Sequence, residues 1–295
     1  MKLLILNGTK AKETTTIHFI EEAKKKFSSV LSISLEKIRV ECVEGETKLM
    51  YKNTDLTTFD VCLPRFFAED FVFANIVLDL LAEQNRIFVP SNAESFHISN
   101  HKYYTIKLLA SSGINVPTSS LSVSAEPTLK MAKEVGYPCV VKLLSGFGGK
   151  GVMLAKDEKE LKPLLDTLNL FKEFISTQEF FENQISDLRC LVIGDKVIGI
   201  ERTAAEGEWR SNVSKGGEAK VIDLSDEAKE IAVDAATVLG LKICAVDLMK
   251  TPKGYVVVEV NFTPGTMVKF FEKKLAKKFI DYLYKEAEKR KRIGN

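Results

Sequence analysis

The 295-residue sequence contains no apolar segment approaching the ~18 residues needed to cross a bilayer. Its opening run, LLIL at residues 3 to 6, is too short for the core of a signal peptide, so a cytoplasmic protein with no membrane partner is expected. Cysteine is sparse and scattered. Cys42, Cys62, Cys139, Cys190 and Cys244 fall singly in or beside apolar stretches, without the spacing of a disulfide framework or zinc site, which predicts buried, reduced thiols. Histidine is scarcer, with only His18, His97 and His101, and neither a nucleophile elbow nor a Ser-His-Asp signature is present. Charge of one sign is not in excess: 42 Lys and Arg face 40 Asp and Glu, a net +2. That balance removes any general attraction to nucleic acid, so no stable nucleic-acid partner is expected and anions must be held by local clusters. No G-x-G-x-x-G follows the first apolar run, and no G-K-[ST] marks a Walker loop.

Hydrophobic residues make up 45% and charged residues 28%, ordinary globular values that exclude disorder and collagen-like repeats. Residues 3 to 6 read as a buried strand, 16 to 27 as a helix, Asp60 to Leu63 as a strand, Glu69 to Gln84 as an apolar helix and Arg86 to Val89 as a third strand. This alternation predicts a parallel sheet for the first 90 or so residues. Asn100 stands where the N-cap of a helix over His101 to Ser112 is expected, and a further helix runs from Pro127 to Val135. A short strand, Cys139 to Leu143, leads into Ser145-Gly146-Phe147-Gly148-Gly149-Lys150-Gly151, the most glycine-dense stretch of the chain. A hairpin over Leu188 to Arg202, a helix over Asp226 to Leu239, a second hairpin over Cys244 to Asn261 and a Lys-rich amphipathic final helix complete the reading.

Several of these segments carry chemistry. Glycines let backbone N–H groups close around an anion, so the loop at Gly148 and Gly149, with Lys150 beside it, is a candidate phosphate cradle; a plain mobile turn is the alternative. Lys142 sits inside the apolar run CVVKLL, and burying its ammonium is costly unless it meets an anion; an edge-strand lysine pointing to water is the alternative. In the second hairpin, a three-residue loop Pro252-Lys253-Gly254 pairs Thr251 with Tyr255 and therefore Asp247 with Glu259. Alternation puts Asn261 on the same face. Opposed carboxylates repel unless a cation lies between them, and hard oxygen ligands suit Mg²⁺ or Mn²⁺, against the alternative of a solvated acidic face. The segment Glu201 to Gly217 gathers Arg202, Arg210, Ser211, Asn212 and Lys215, side chains suited to phosphate or carboxylate.

The run DLRCLVIGDKVIGIERTAAEGEWRSNVSKGGEA and the run AVDLMKTPKGYVVVEVNFTPG resemble the corresponding segments of RimK-type ATP-grasp ligases, the α-L-glutamate ligase family. Weaker similarity lies in LPRF, in VPSNAESFHISNHKYYTIKLLASSGINVP and in YPCVVKLLSGFGGKGV, while the first 55 residues match poorly. The resemblance implies an α/β protein of ATP-grasp fold. Its parts are an N-terminal Rossmann-like (pre-ATP-grasp) domain over 1–94, a small central α+β domain with the glycine loop over 95–181, and a C-terminal antiparallel-sheet domain over 182–295. Carried over by position, Lys102 and Lys142 contact ATP phosphates, Glu179 and Phe180 read the adenine edge through their backbone, and Asp187 lies near the ribose. Arg210, Ser211 and Asn212 lie near the terminal phosphate, and Asp247, Glu259 and Asn261 hold the metals.

The implied reaction is ATP-dependent amide-bond formation through an acyl phosphate, with two Mg²⁺ or Mn²⁺ ions on the phosphate oxygens. Lys142, Arg202 and Arg210 offset the charge that develops. The implied partners are ATP, an amino acid expected to be glutamate, and a carboxylate-bearing acceptor such as a protein tail, a pterin or deazaflavin coenzyme, or the carrier protein of lysine biosynthesis; a homo-oligomer is compatible with this reading. The competing expectation is a nucleotide-binding regulatory module without catalysis. The chain departs from the family pattern after Asn261, in TPGTMVKF, and after Pro64-Arg65, in FFAEDFVF, two regions expected to face the amine or the carboxylate partner.

Overall fold

The computed structural model describes residues 1–11, 13–84, 87–143, 151–172, 174–181, 186–205, 217–264 and 268–293, the side chains of 13–15 and 268–272 excepted. The N-terminal part is built on strands β1 (Lys2–Asn7), β2 (Ser29–Ser34) and β6 (Val61–Arg65), a parallel sheet in the order β2-β1-β6. Helix α1 (Glu13–Ala23) crosses between β1 and β2, and α2 (Phe71–Glu83) follows β6. LLIL is fully buried because the sheet is covered on both faces, Leu4 and Leu6 joining one core cluster and Leu3 and Ile5 another. The expected third strand at Arg86 to Val89 is reduced, among the described residues, to one bridge, Phe88 to Val61. Beside the parallel sheet stands a small antiparallel one, β3 (Arg39–Val43), β4 (Glu46–Tyr51) and β5 (Thr54–Asp55), which the sequence reading missed. Cys42 lies on β3 and is exposed, against expectation; the other four cysteines are buried, and burial pushes the Cys62, Cys190 and Cys244 thiols up.

Two helices, α3 (Ala93–Asn100) and α4 (Lys102–Ser111), connect to the central part. Asn100 does not cap α4. It ends α3, its Nδ2 donating to the Phe96 carbonyl at 2.8 Å, while His101 caps α4 by accepting from the Tyr104 amide at Nδ1, 3.1 Å. The central part is a four-stranded antiparallel sheet, β7 (Ser119–Ser122), β10 (Ile175–Glu179), β8 (Cys139–Leu143) and β9 (Val152–Ala155) in that order, covered by α5 (Ala125–Val135) and α6 (Glu158–Leu170). Its core is separate from the other two: Cys139, Val141, Ile175, Leu161 and Leu165 pack together, which leaves Val140 and Lys142 on the opposite face of β8.

The C-terminal part is a five-stranded antiparallel sheet ordered β13 (Glu218–Ile222), β12 (Lys196–Thr203), β11 (Ser186–Ile193), β14 (Ile243–Thr251) and β15 (Gly254–Asn261). Helix α7 (Asp226–Val238) covers one face, where Cys244, Val246 and Leu248 are buried. The final helix, α8 (Val268–Ile293), lays Leu275, Ala276, Phe279, Ile280, Leu283 and Ala287 between the other face of this sheet and the N-terminal sheet. Each Leu, Ile or Phe so buried stabilises the fold by about 1.5–3 kcal/mol, so α8 ties the two sheets together while its lysines stay in water. Among the described residues no helix is long and apolar enough to cross a membrane.

Candidate active site

The β14–β15 hairpin positions the acidic residues, by a route that differs from the sequence count. The turn is one residue tighter than expected: Thr251 pairs with Gly254, whose φ of 106° is left-handed, and Lys250 pairs with Tyr255. Thr251 Oγ1 accepts from the Lys253 amide at 3.1 Å and donates to the Gly254 carbonyl at 2.8 Å. A bulge between Asp247 and Leu248 then takes up one residue on β15, so that Asp247 faces Glu259 after all and Ala245 faces Asn261. The pair is as expected, though the expected turn was wrong.

On the same face, cross-strand pairing assembles an alternating row of charges. Asp187 stands opposite Arg202 and Arg189 opposite Asp247. Arg202 donates from Nε and Nη2 to the two oxygens of Asp187, each at 2.6 Å, and its Nη2 also reaches Asp247 Oδ2 at 3.1 Å. Arg189 donates from Nε and Nη2 to Asp247 Oδ1 and Oδ2 at 2.8 and 2.7 Å. Burial alone would push the Asp247 carboxyl up, but Arg189 and Arg202 outweigh it and hold Asp247 below the usual carboxylate range. Burial likewise opposes the charge on Arg202, and Asp247 with Asp187 reverses that effect and raises its pKa. Both are therefore ionised across the physiological range, and the bidentate geometry fixes their orientation.

Lys142 faces this row from the central part. It pairs with Ser176 on β10 and Val152 on β9, half-buried, and is close enough to Glu259 and Lys102 to feel both charges. Burial draws its pKa down to about 8, Glu259 opposes that fall, and Lys102, the first residue of α4, adds to it. Lys142 thus stands near both Lys102, from a different element, and Glu259, which is exposed. At the end of β10 the Glu179 amide donates to the Thr118 carbonyl at 2.8 Å, and the Thr118 amide donates to Glu179 Oε2 at 3.2 Å. The Glu179 N–H is therefore engaged, so a purine edge there would be read by the Glu179 carbonyl and by the residue after it, Phe180.

The structure brings together Lys102, Lys142, Arg202, Asp187, Asp247, Glu259 and Asn261. Gly148, Gly149, Lys150, Arg210, Ser211, Asn212 and Lys215 lie outside the described residues. Arg189 was not singled out from the sequence, although its place two residues after Asp187 puts it on the same strand face. For a divalent cation the donor set is chemically suitable: two carboxylates and a carboxamide, all hard oxygen donors. Asn261 also carries a buried Nδ2 without a hydrogen-bond partner. Turning that amide over places Oδ1 there instead, an acceptor that a cation would satisfy.

Comparison with known proteins places this arrangement. Residues 99–283 match the RimK-like ATP-grasp domain. A probable α-L-glutamate ligase of Nitrosococcus oceani is 32% identical over 292 residues, 97% of this chain and 96% of that protein. Among solved structures, a RiPP-associated ATP-grasp ligase of Chryseobacterium gregarium, in complex with ADP and a leader and core peptide, superposes with a TM-score of 0.76 at 17% identity, covering 97% of each chain. The ATP-grasp ligase PsnB, complexed with minimal precursor, Mg and ADP, gives 0.73 at 17% identity over 97% of this chain and 98% of that one. The chain belongs to the RimK-like ATP-grasp family and has the ATP-grasp fold. It is a ligase that forms carbon–nitrogen bonds.

Proposed function

We propose that the protein uses ATP to join L-glutamate to a carboxylate-bearing acceptor through an amide bond, with an acyl phosphate as intermediate and ADP and phosphate as products. The observation that carries this reading is Lys142, with Lys102 near it, standing close to Glu259 on the β14–β15 face that also holds Asp247 and Asn261. A cation-rich side opposite an acid-rich side is what a triphosphate with its counter-ions requires. ATP lies between the central and C-terminal sheets, its adenine at the Glu179–Phe180 turn and its phosphates toward Lys142 and Lys102. Asp247, Glu259 and Asn261 would hold Mg²⁺ or Mn²⁺, which would neutralise part of the phosphate charge.

The chain's own residues do the rest. Lys142, with its pKa lowered to about 8 by burial, gains a full charge when an anion arrives beside it, which favours the phosphate being transferred. Arg189 and Arg202 keep Asp247 ionised and oriented. The acceptor carboxylate attacks the terminal phosphorus, ADP leaves, and the glutamate amine then displaces phosphate from the acyl carbon, losing its proton. No side-chain nucleophile takes part. Because the chain is 32% identical to a probable α-L-glutamate ligase and carries Asp247, Glu259 and Asn261 on one hairpin face, a catalytic role fits better than that of a nucleotide sensor. The test is an acceptor and amino-acid panel with ATP and Mg²⁺: ADP forms with the matching pair and not with Glu259→Gln, whereas AMP as the nucleotide product refutes the acyl-phosphate route.

A further inference from the structure

Arg65 is a buried charge that no acid partners among the described residues. It closes β6 opposite Asn7, the last residue of β1, and is 5% exposed. Its guanidinium lies over the Phe19 ring, 5.3 Å from the centroid. Nη1 donates to Asn7 Oδ1 at 3.0 Å and to Thr16 Oγ1, both neutral acceptors. Among the described residues, the neighbouring acids Asp70 and Glu69 are engaged elsewhere. Asp70 accepts from the Thr9 amide at 3.0 Å, from Thr9 Oγ1 at 2.9 Å and from the Phe67 amide at 2.9 Å, and Glu69 pairs with Lys10. The contrast with Arg202, equally buried but held by two carboxylates, is direct.

Taking a guanidinium out of water without an anion is expensive, and burial draws the Arg65 pKa down to about 10. Its position explains why the cost would be accepted. The carboxyl ends of parallel strands are where open α/β sheets hold ligands. This end also touches the active site: the carbonyl of the next residue, Phe66, accepts from Thr263 Oγ1 at 2.6 Å, and Thr263 lies two residues, at most about 7 Å of chain, beyond Asn261.

We propose that Arg65 receives a carboxylate group of a substrate, so that the anion its guanidinium lacks among the described residues is delivered by the molecule being ligated. Building on the ligase reading above, the site takes either the spectator carboxylate of the incoming amino acid or a carboxylate of the acceptor. Asn7 and Thr16 hold the guanidinium through one nitrogen and leave the fork's other edge for a bidentate carboxylate.

Two variants test this. Arg65→Gln removes the charge; Thr16→Asp keeps Arg65 and supplies an internal carboxylate beside it, at a helix N-terminus where an acid is favourable. Thr16→Asp is expected to melt no lower than wild type, and both variants to raise KM for one carboxylate substrate about 10- to 100-fold, with Kd for Mg-ATP changed less than about 3-fold. A rise confined to the amino acid identifies the amino acid as the source, and one confined to the acceptor identifies the acceptor. Unchanged KM for both substrates in folded Thr16→Asp overturns the proposal. If wild type ligates nothing in the panel, the ligase reading fails separately, and Arg65 is read by calorimetry with L-glutamate and succinate. Weaker binding to Thr16→Asp than to wild type supports the site; equal binding, or none to wild type, overturns it.

Discussion

Replacing Arg202 by methionine removes the guanidinium that joins Asp187 to Asp247. The three side chains are 7%, 10% and 5% exposed, so water does little to replace what is lost. Asp187 loses both contacts at 2.6 Å, whereas Asp247 loses one at 3.1 Å and keeps the two from Arg189 at 2.8 and 2.7 Å. Most of the penalty therefore falls on Asp187, and removing one partner of a buried pair costs about 3–5 kcal/mol. With a urea m-value of about 3 kcal/mol/M, the midpoint drops by about 1–1.7 M. Asp187→Leu/Arg202→Met removes the buried Asp187 carboxylate together with its Arg202 partner, so the double variant is expected to be more stable than the Arg202→Met single. Urea unfolding followed by circular dichroism measures all three. A single-variant loss under about 1 kcal/mol, or a double variant equal to the sum of the singles, would refute the view that these residues act as one buried network.

The Lys142 pKa of about 8 lies below the ordinary lysine value, so its protonation disfavours the fold: the contribution to stability is largest at high pH and is lost as pH falls toward 8. A bound phosphate reverses that preference; ATP affinity is expected to be flat below pH 8 and to weaken above it, with proton uptake at pH 8.5 detectable by calorimetry in two buffers, and an affinity independent of pH from 7 to 9.5 would contradict it. Gly199→Ala places a Cβ 2.5 Å from Leu224 Cγ and 2.9 Å from the Ile222 carbonyl oxygen, and is expected to cost about 1–3 kcal/mol by denaturant unfolding, where a neutral result would show that β12 and β13 yield easily.

Legibility differed from one part of the chain to another for physical reasons. Asp247, Glu259 and Asn261 could be read because strands alternate and a tight turn sets register, yet the count reached the right pair only because the bulge after Asp247 compensates a turn one residue shorter than the glycine suggested. Arg189 was within reach of the same alternation. Arg65 was not, since nothing in LPRF says that the charge is buried against Phe19 or that Asp70 and Glu69 turn to other partners. Helix α3 carries a readable signal, Asn92 accepting from the Ser95 amide at 2.8 Å, but its polar composition hides the helical stripe. Strands β3 to β5 bury only Leu49 fully, so their alternation is too weak to stand out.

The central claim is that a terminal phosphate is transferred to a carboxylate at the face formed by Asp247, Glu259 and Asn261. Phosphorus NMR of the reaction of wild type and Glu259→Gln with ATP, Mg²⁺, L-glutamate and the matching acceptor tests it most directly. Wild type is expected to give ADP and inorganic phosphate in equal amounts, dependent on both substrates, and a folded Glu259→Gln a rate at least ~100-fold lower. AMP and pyrophosphate, or undiminished turnover by Glu259→Gln, would contradict it.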